Sequence, residues 1–173
     1  MVDGDLSIDP WSSTQSTDYS RIIEQFGLSN LGNLTLPNPS HLHRRGIVFA
    51  HRDLELVLQA QKTGDKYGVL TGLMPSGRMH LGHSMVIEQV KWFQNLGGDV
   101  TIAVADLESQ ATRGVSLSKG REIALEECVA NYAALGLNPD LTNVYFQSTR
   151  ADVQRLGFQL GKLTNLSEFV SIY

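Results

Sequence analysis

A single cysteine, Cys128, occurs in the 173 residues. An intramolecular disulfide is therefore impossible, and the pattern fits a reducing compartment. Long apolar runs are missing too, none approaching the roughly 18 residues of a membrane-spanning helix. The first residues, Met1-Val2-Asp3-Gly4-Asp5, are acidic and lack the apolar stretch of a secretory signal, so a cytoplasmic protein is expected. Nor is positive charge in excess. The formal net charge is −4, which does not advertise a nucleic-acid binder, although His41, His43, Arg44, Arg45, His51 and Arg52 form a local basic stretch. That stretch reads equally as a solvated face or as a patch for RNA. No repeat or low-complexity tract is found. What remains is 42% hydrophobic and 18% charged, enough apolar material for one domain with a core.

Patterning divides the chain in two. Residues 1–45 are rich in Ser, Thr, Asn, Pro and Gly and read as an N-terminal extension, with Pro37-Asn38-Pro39 as a linker signal. Within it, Asp18 to Phe26 is an amphipathic helix stopped by Gly27. Residues 46–173 read as an α/β domain. The expected strands are Gly46–Ala50, Val69–Gly72, Asp99–Ala105 and Val144–Phe146. The expected helices are Asp53–Gln61, Ser84–Leu96, Ser118–Leu135 and Thr149–Leu163, the last with Thr149 as N-cap and Asp152 closing a capping box. Strands alternating with helices argue for a parallel, Rossmann-like sheet. The apolar run Ser167 to Tyr173 is unsuited to a loose tail, so the chain is expected to stop within the domain, after its first half.

The densest chemistry lies in Thr71-Gly72-Leu73-Met74-Pro75-Ser76-Gly77-Arg78-Met79-His80-Leu81-Gly82-His83, between a strand and its helix. Open parallel sheets bind ligands there, beyond the carboxyl ends of the strands. Pro75-Ser76-Gly77 makes a tight turn with exposed N–H groups. His80 and His83, three positions apart, share one face if a helix begins between them, at its positive end. Gly82 leaves room for a flat group against the backbone. Imidazoles, free amides and a helix N-terminus together suit a polyphosphate. A His-x-x-His pair alone can be half a metal site, but no third and fourth ligands stand nearby, so no metal centre is expected.

Pro75-Ser76-Gly77 followed by His80-Leu81-Gly82-His83 resembles the first signature of class I aminoacyl-tRNA synthetases. Within that class, Arg44 to Asp53 is similar to the segment preceding the catalytic fold of archaeal and eukaryotic tryptophanyl-tRNA synthetases. Asp9-Pro10-Trp11, Asp18-Tyr19, Ala105-Asp106-Leu107-Glu108 and Asn165 to Phe169 fit the same family. The resemblance implies ATP-dependent activation of tryptophan and its transfer to tRNA(Trp), with Mg²⁺ accompanying the nucleotide and a homodimeric complete enzyme. By this likeness His80 and His83 are the catalytic contacts to the ATP phosphates, Gly82 underlies the adenine, and Pro75, Ser76 and Gly77 line the same pocket. Glu108 takes the tryptophan ammonium, with Asp106 a weaker candidate.

Departures from the pattern accompany the likeness. Leu73 stands where eukaryotic members carry an arginine. Leu70 replaces a tyrosine and Ala103 a glutamine, so a tryptophan pocket would be lined by those residues here. The Lys-Met-Ser-Lys-Ser signature does not occur in the 173 residues. Tyrosyl-tRNA synthetases share the Pro-Ser-Gly and His-x-Gly-His run, but Leu70 offers nothing to a substrate hydroxyl where that family uses a tyrosine. A truncated relative that binds nucleotide or tRNA without turnover is the remaining alternative.

Overall fold

In the computed structural model residues 19–165 are described. The family-like segments around Asp9 and beyond Asn165 lie outside them. The elements are α1 (Tyr19–Gln25), β1 (Ser29–Asn30), α2 (His41–Arg44), β2 (Ala50–His51), α3 (Leu54–Thr63), β3 (Gly68–Leu73), α4 (Leu81–Asn95), β4 (Asp99–Val104), α5 (Asp106–Arg113), α6 (Leu117–Ile123), α7 (Ala130–Ala134), β5 (Thr142–Phe146) and α8 (Ala151–Gly161). A π-helical stretch, Ala124–Val129, joins α6 to α7.

Strands β3, β4 and β5 form a parallel sheet in that order. Parallel neighbours need long crossovers, and α4 and the α5–α7 run supply them. The fold is the α/β, Rossmann-like half that the alternation predicts. In register, Val100 and Ile102 share a face with Val69, Leu73 and Val144, and Ile87, Val90, Cys128 and Tyr132 pack on it. Burial raises the Cys128 thiol above its ordinary pKa, with the Glu127 charge adding to the effect. Leu70, on the opposite face of the edge strand β3, is 72% exposed.

A second cluster joins the N-terminal segment to the outer side of α4: Leu31, Leu54, Leu58 and Trp92. The Trp92 indole N–H donates to the carbonyls of Pro37 (3.2 Å) and Asn38 (3.0 Å), so the proline-rich segment is fastened to α4. Among the described residues no helix is long and apolar enough to cross a membrane.

Three local expectations change. Gly46–Ala50 is not a strand. Gly46, at φ +65°, follows the short α2, and only Ala50–His51 pairs, antiparallel, with Ser29–Asn30. Thr149 does not cap α8: its hydroxyl donates to the Phe146 carbonyl, and Arg150 precedes the helix. Asp152 spends its carboxylate on the Arg150 guanidinium (2.8 and 3.0 Å) instead of a capping box, which holds its pKa far below the carboxylate range. Helix α5 is new, because Asp106–Arg113 is too polar to show an apolar stripe.

Candidate nucleotide site at the start of helix α4

The turn after β3 is held from beneath. Ser76 N–H donates to the Met74 carbonyl (2.9 Å), making a tight reversal at Pro75. Pro75 is fully buried, and its carbonyl accepts a hydrogen bond from the buried Ser109 hydroxyl of α5 (3.0 Å). Ser76, Gly77 and Arg78 stay exposed above this anchor. Asp106, only 2% exposed, opens the same helix, and its carboxylate accepts from the Ser148 N–H (3.0 Å) and the Ser148 hydroxyl. That pairing ties the carboxyl ends of β4 and β5 together, so Asp106 has a structural employment here.

Helix α4 begins at Leu81, and His80 is its N-cap. The Gly82 N–H donates to His80 Nδ1 (3.2 Å), and the His80 N–H donates to His83 Nδ1 (3.2 Å). Two imidazoles thus do the work usually left to Ser and Glu in a capping box. The ring centroids are 4.0 Å apart. Because each Nδ1 accepts an amide hydrogen, each neutral ring carries its proton on Nε2. Burial lowers the His83 pKa below 6.5, and the neighbouring His80 lowers it further. The result is a pair of Nε2–H donors at the positive end of a helix, an arrangement complementary to a polyanion.

Gly82 has a reason of its own. A Cβ there would stand 3.0 Å from His80 Cε1 and 3.1 Å from Nδ1, so a side chain would shift the ring by a few tenths of an ångström against its amide. Ser76, Gly77, His80 and Gly82 are all exposed, and His83 is half-buried.

Of the other candidates, Leu70 and Ala103 lie on the same sheet face: Leu70 pairs with Thr101, and Ala103 with Gly72. Ala103 is buried and Leu70 is open. Glu108 sits in the first turn of α5, beyond the carboxyl end of β4, and is exposed. Arg78 escaped the sequence reading. Its side chain is 90% exposed between the turn and His80, with Glu127 at 3.8 Å. The signal for it was simply a cation inside a phosphate-type turn.

A family model described as class I tRNA synthetases (W and Y) matches residues 62–173. Tryptophan–tRNA ligase of Thermoplasma acidophilum is 48% identical over 166 residues, which are 96% of this chain and 38% of that protein. The Methanosarcina acetivorans tryptophan–tRNA ligase is 43% identical over 98% of this chain and 39% of its own. Among solved structures, tryptophanyl-tRNA synthetase from Aeropyrum pernix superimposes with a TM-score of 0.84 at 38% identity, covering 96% of this chain and 47% of that one. The chain therefore spans less than half the length of these relatives.

Proposed function

The chain belongs to the class I tRNA synthetases of the tryptophan and tyrosine group, and from that membership we propose that it carries the ATP-binding part of a tryptophan-activating site. The tryptophan carboxylate attacks the α-phosphorus of ATP. A carboxylate–phosphorus bond forms, the bond to pyrophosphate breaks, and tryptophanyl-adenylate results for transfer to tRNA(Trp). The nucleophile is already ionised, so no general base is needed. Rate comes from in-line positioning and from donors aimed at the phosphate charge.

The observation that carries this reading is the doubly capped start of α4, with its two Nε2–H donors. His80 and His83 donate to phosphate oxygens, while Pro75, Ser76, Gly77 and Gly82 shape the nucleotide pocket. Glu108 takes the substrate ammonium, and Leu70 and Ala103 flank the indole. Mg²⁺ accompanies the nucleotide, as it usually does on substrate phosphates. Tryptophan is preferred over tyrosine because Leu70 leaves a phenolic hydroxyl without a partner. The site works in the cytoplasm, within a homodimer.

A second reading is nucleotide binding without turnover, since two imidazole donors at a helix start serve phosphate binding as well as reaction. ATP–pyrophosphate exchange with tryptophan, tyrosine or neither, run beside ATP calorimetry, separates the two. Tryptophan-dependent exchange supports activation, and tyrosine-dependent exchange overturns the specificity. ATP binding without exchange selects the second reading, and absence of both rejects the site.

A further inference from the structure

Arg78 is the one lysine or arginine in the segment 71–83, which carries the turn and both imidazoles. Its neighbour Met79 is half-buried and packs against the core cluster of Ile87 and Ile102. His80 is extended, at φ −137° and ψ 177°. Along extended chain successive side chains point to opposite sides. With Met79 turned inward, Arg78 and His80 both stand outward, and both are exposed. Two residues of extended chain span at most about 7 Å, an interval that an arginine side chain bridges.

The guanidinium has a resting partner. Its Nε lies 3.8 Å from the Glu127 carboxylate, and the two side chains are 90% and 37% exposed. That distance is beyond hydrogen-bond reach, and an ion pair so open to water is weak. Glu127 belongs to the π-helical stretch Ala124–Val129, on the crossover between β4 and β5. The pair therefore joins the turn to a separate element through one loose contact. A polyphosphate offers the guanidinium more, because its planar fork matches charged oxygens in pairs.

We propose that Arg78 is a further phosphate-binding residue of this site, exchanging Glu127 for phosphate oxygens when ATP docks on His80 and His83. Glu127 is then a competitor that holds the cation to one side until the nucleotide arrives. The inference rests on the reading of the α4 start as a nucleotide site, and adds a formal positive charge to its N–H donors.

ATP affinity is measured by calorimetry for the full chain and its variants. Arg78→Ala is expected to lower it roughly tenfold, and Arg78→Lys to recover only part, since an ammonium lacks the paired donors. Glu127→Gln is expected to raise affinity roughly two- to fivefold, the worth of an exposed ion pair. In the Arg78→Ala background the same change should do nothing, a result that a general loss of negative charge would not give. Arg78→Ala binding ATP as the parent does, while His80→Ala does not, would overturn the proposal and leave the reading of the site standing. So would a Glu127→Gln gain that is absent in the parent or persists without Arg78. A parent chain that binds no ATP would reject the reading itself, and this inference with it.

Discussion

Helices α2 and α4 are closed by the same device and put it to different ends. At α2, the Ser40 N–H donates to His43 Nδ1 (3.1 Å); at α4, the His80 N–H donates to His83 Nδ1 (3.2 Å). The His43 ring then lies 4.6 Å from the buried Trp92 indole, inside the seam that fastens the N-terminal segment. The His83 ring instead lies 4.0 Å from the His80 ring, which is open to solvent. Burial depresses the pKa of both His43 and His83; Gln89 opposes the shift at the first, and His80 reinforces it at the second. An imidazole at the third helical position is thus a local solution to an orphan amide. Whether it becomes a brace or a binding group depends on what covers its other side.

That contrast can be broken by substitution. The largest effect is expected at the braced end. Trp92→Ala removes the indole that packs on His43 and bonds to two carbonyls, and should cost about 3–5 kcal/mol in denaturant unfolding. ATP affinity of the folded molecules should be nearly unchanged. An equal loss of ATP binding would show that the two ends are not separate in function.

At the open end the expectation reverses. His80→Ala and His83→Ala each remove a donor to a charged phosphate, and ATP affinity by calorimetry should fall roughly 10- to 100-fold. Stability should drop only by the loss of a cap, about 1 kcal/mol. His43→Ala, as the matched control, should leave ATP affinity alone.

A finer cut is Gly82→Ala. The added Cβ, 3.0 Å from the His80 ring, must shift that ring by a few tenths of an ångström and so weaken its bond to the amide. Alanine's helix preference, up to about 1 kcal/mol, offsets the weakened cap of similar size. Melting should therefore hold steady while ATP affinity falls roughly three- to tenfold. A stability loss with intact binding would sink this account of the glycine.

The smallest effect is with pH. The folded His83 pKa lies below the ordinary 6.5, so the unfolded chain takes up the proton first. Stability is complete above pH 6.5 and declines as pH falls through it toward the folded value. His83→Gln keeps an acceptor at the third helical position but cannot titrate there. Its melting temperature should lose less than the parent's on acidification, and an identical acid slope in both would exclude His83 as a contributor.

Much of the frame was legible from local pattern. The β-branched run Asp99–Val104 and the apolar spacing of Ile87 and Val90 mark a buried strand and its covering helix. The three-residue interval of His80 and His83 placed both rings on one face, and their centroids lie 4.0 Å apart. Other features left no apolar stripe to read. Helix α5 was invisible because its burial is carried by polar residues: Ser109 bonds to Pro75, and Asp106 to Ser148. Gln94, buried at the end of α4, is likewise satisfied only across the fold, by the Asn138 N–H (2.8 Å) and the Thr142 hydroxyl (2.9 Å). Thr149 looked like a cap because the rule is local, yet the 3₁₀ turn Gln147–Thr149 claimed its hydroxyl first.

The sequence by itself determined the alternation of strands and helices, the turn at Pro75 and the spacing of the two imidazoles, because these rest on side-chain periodicity and backbone preference over a few residues. The tertiary structure alone decided that Asp106 joins two strand ends through Ser148 and that Gln94 is satisfied by Asn138 and Thr142. Those outcomes depend on which polar groups meet from distant parts of the chain, and in a buried setting each must find its partner there.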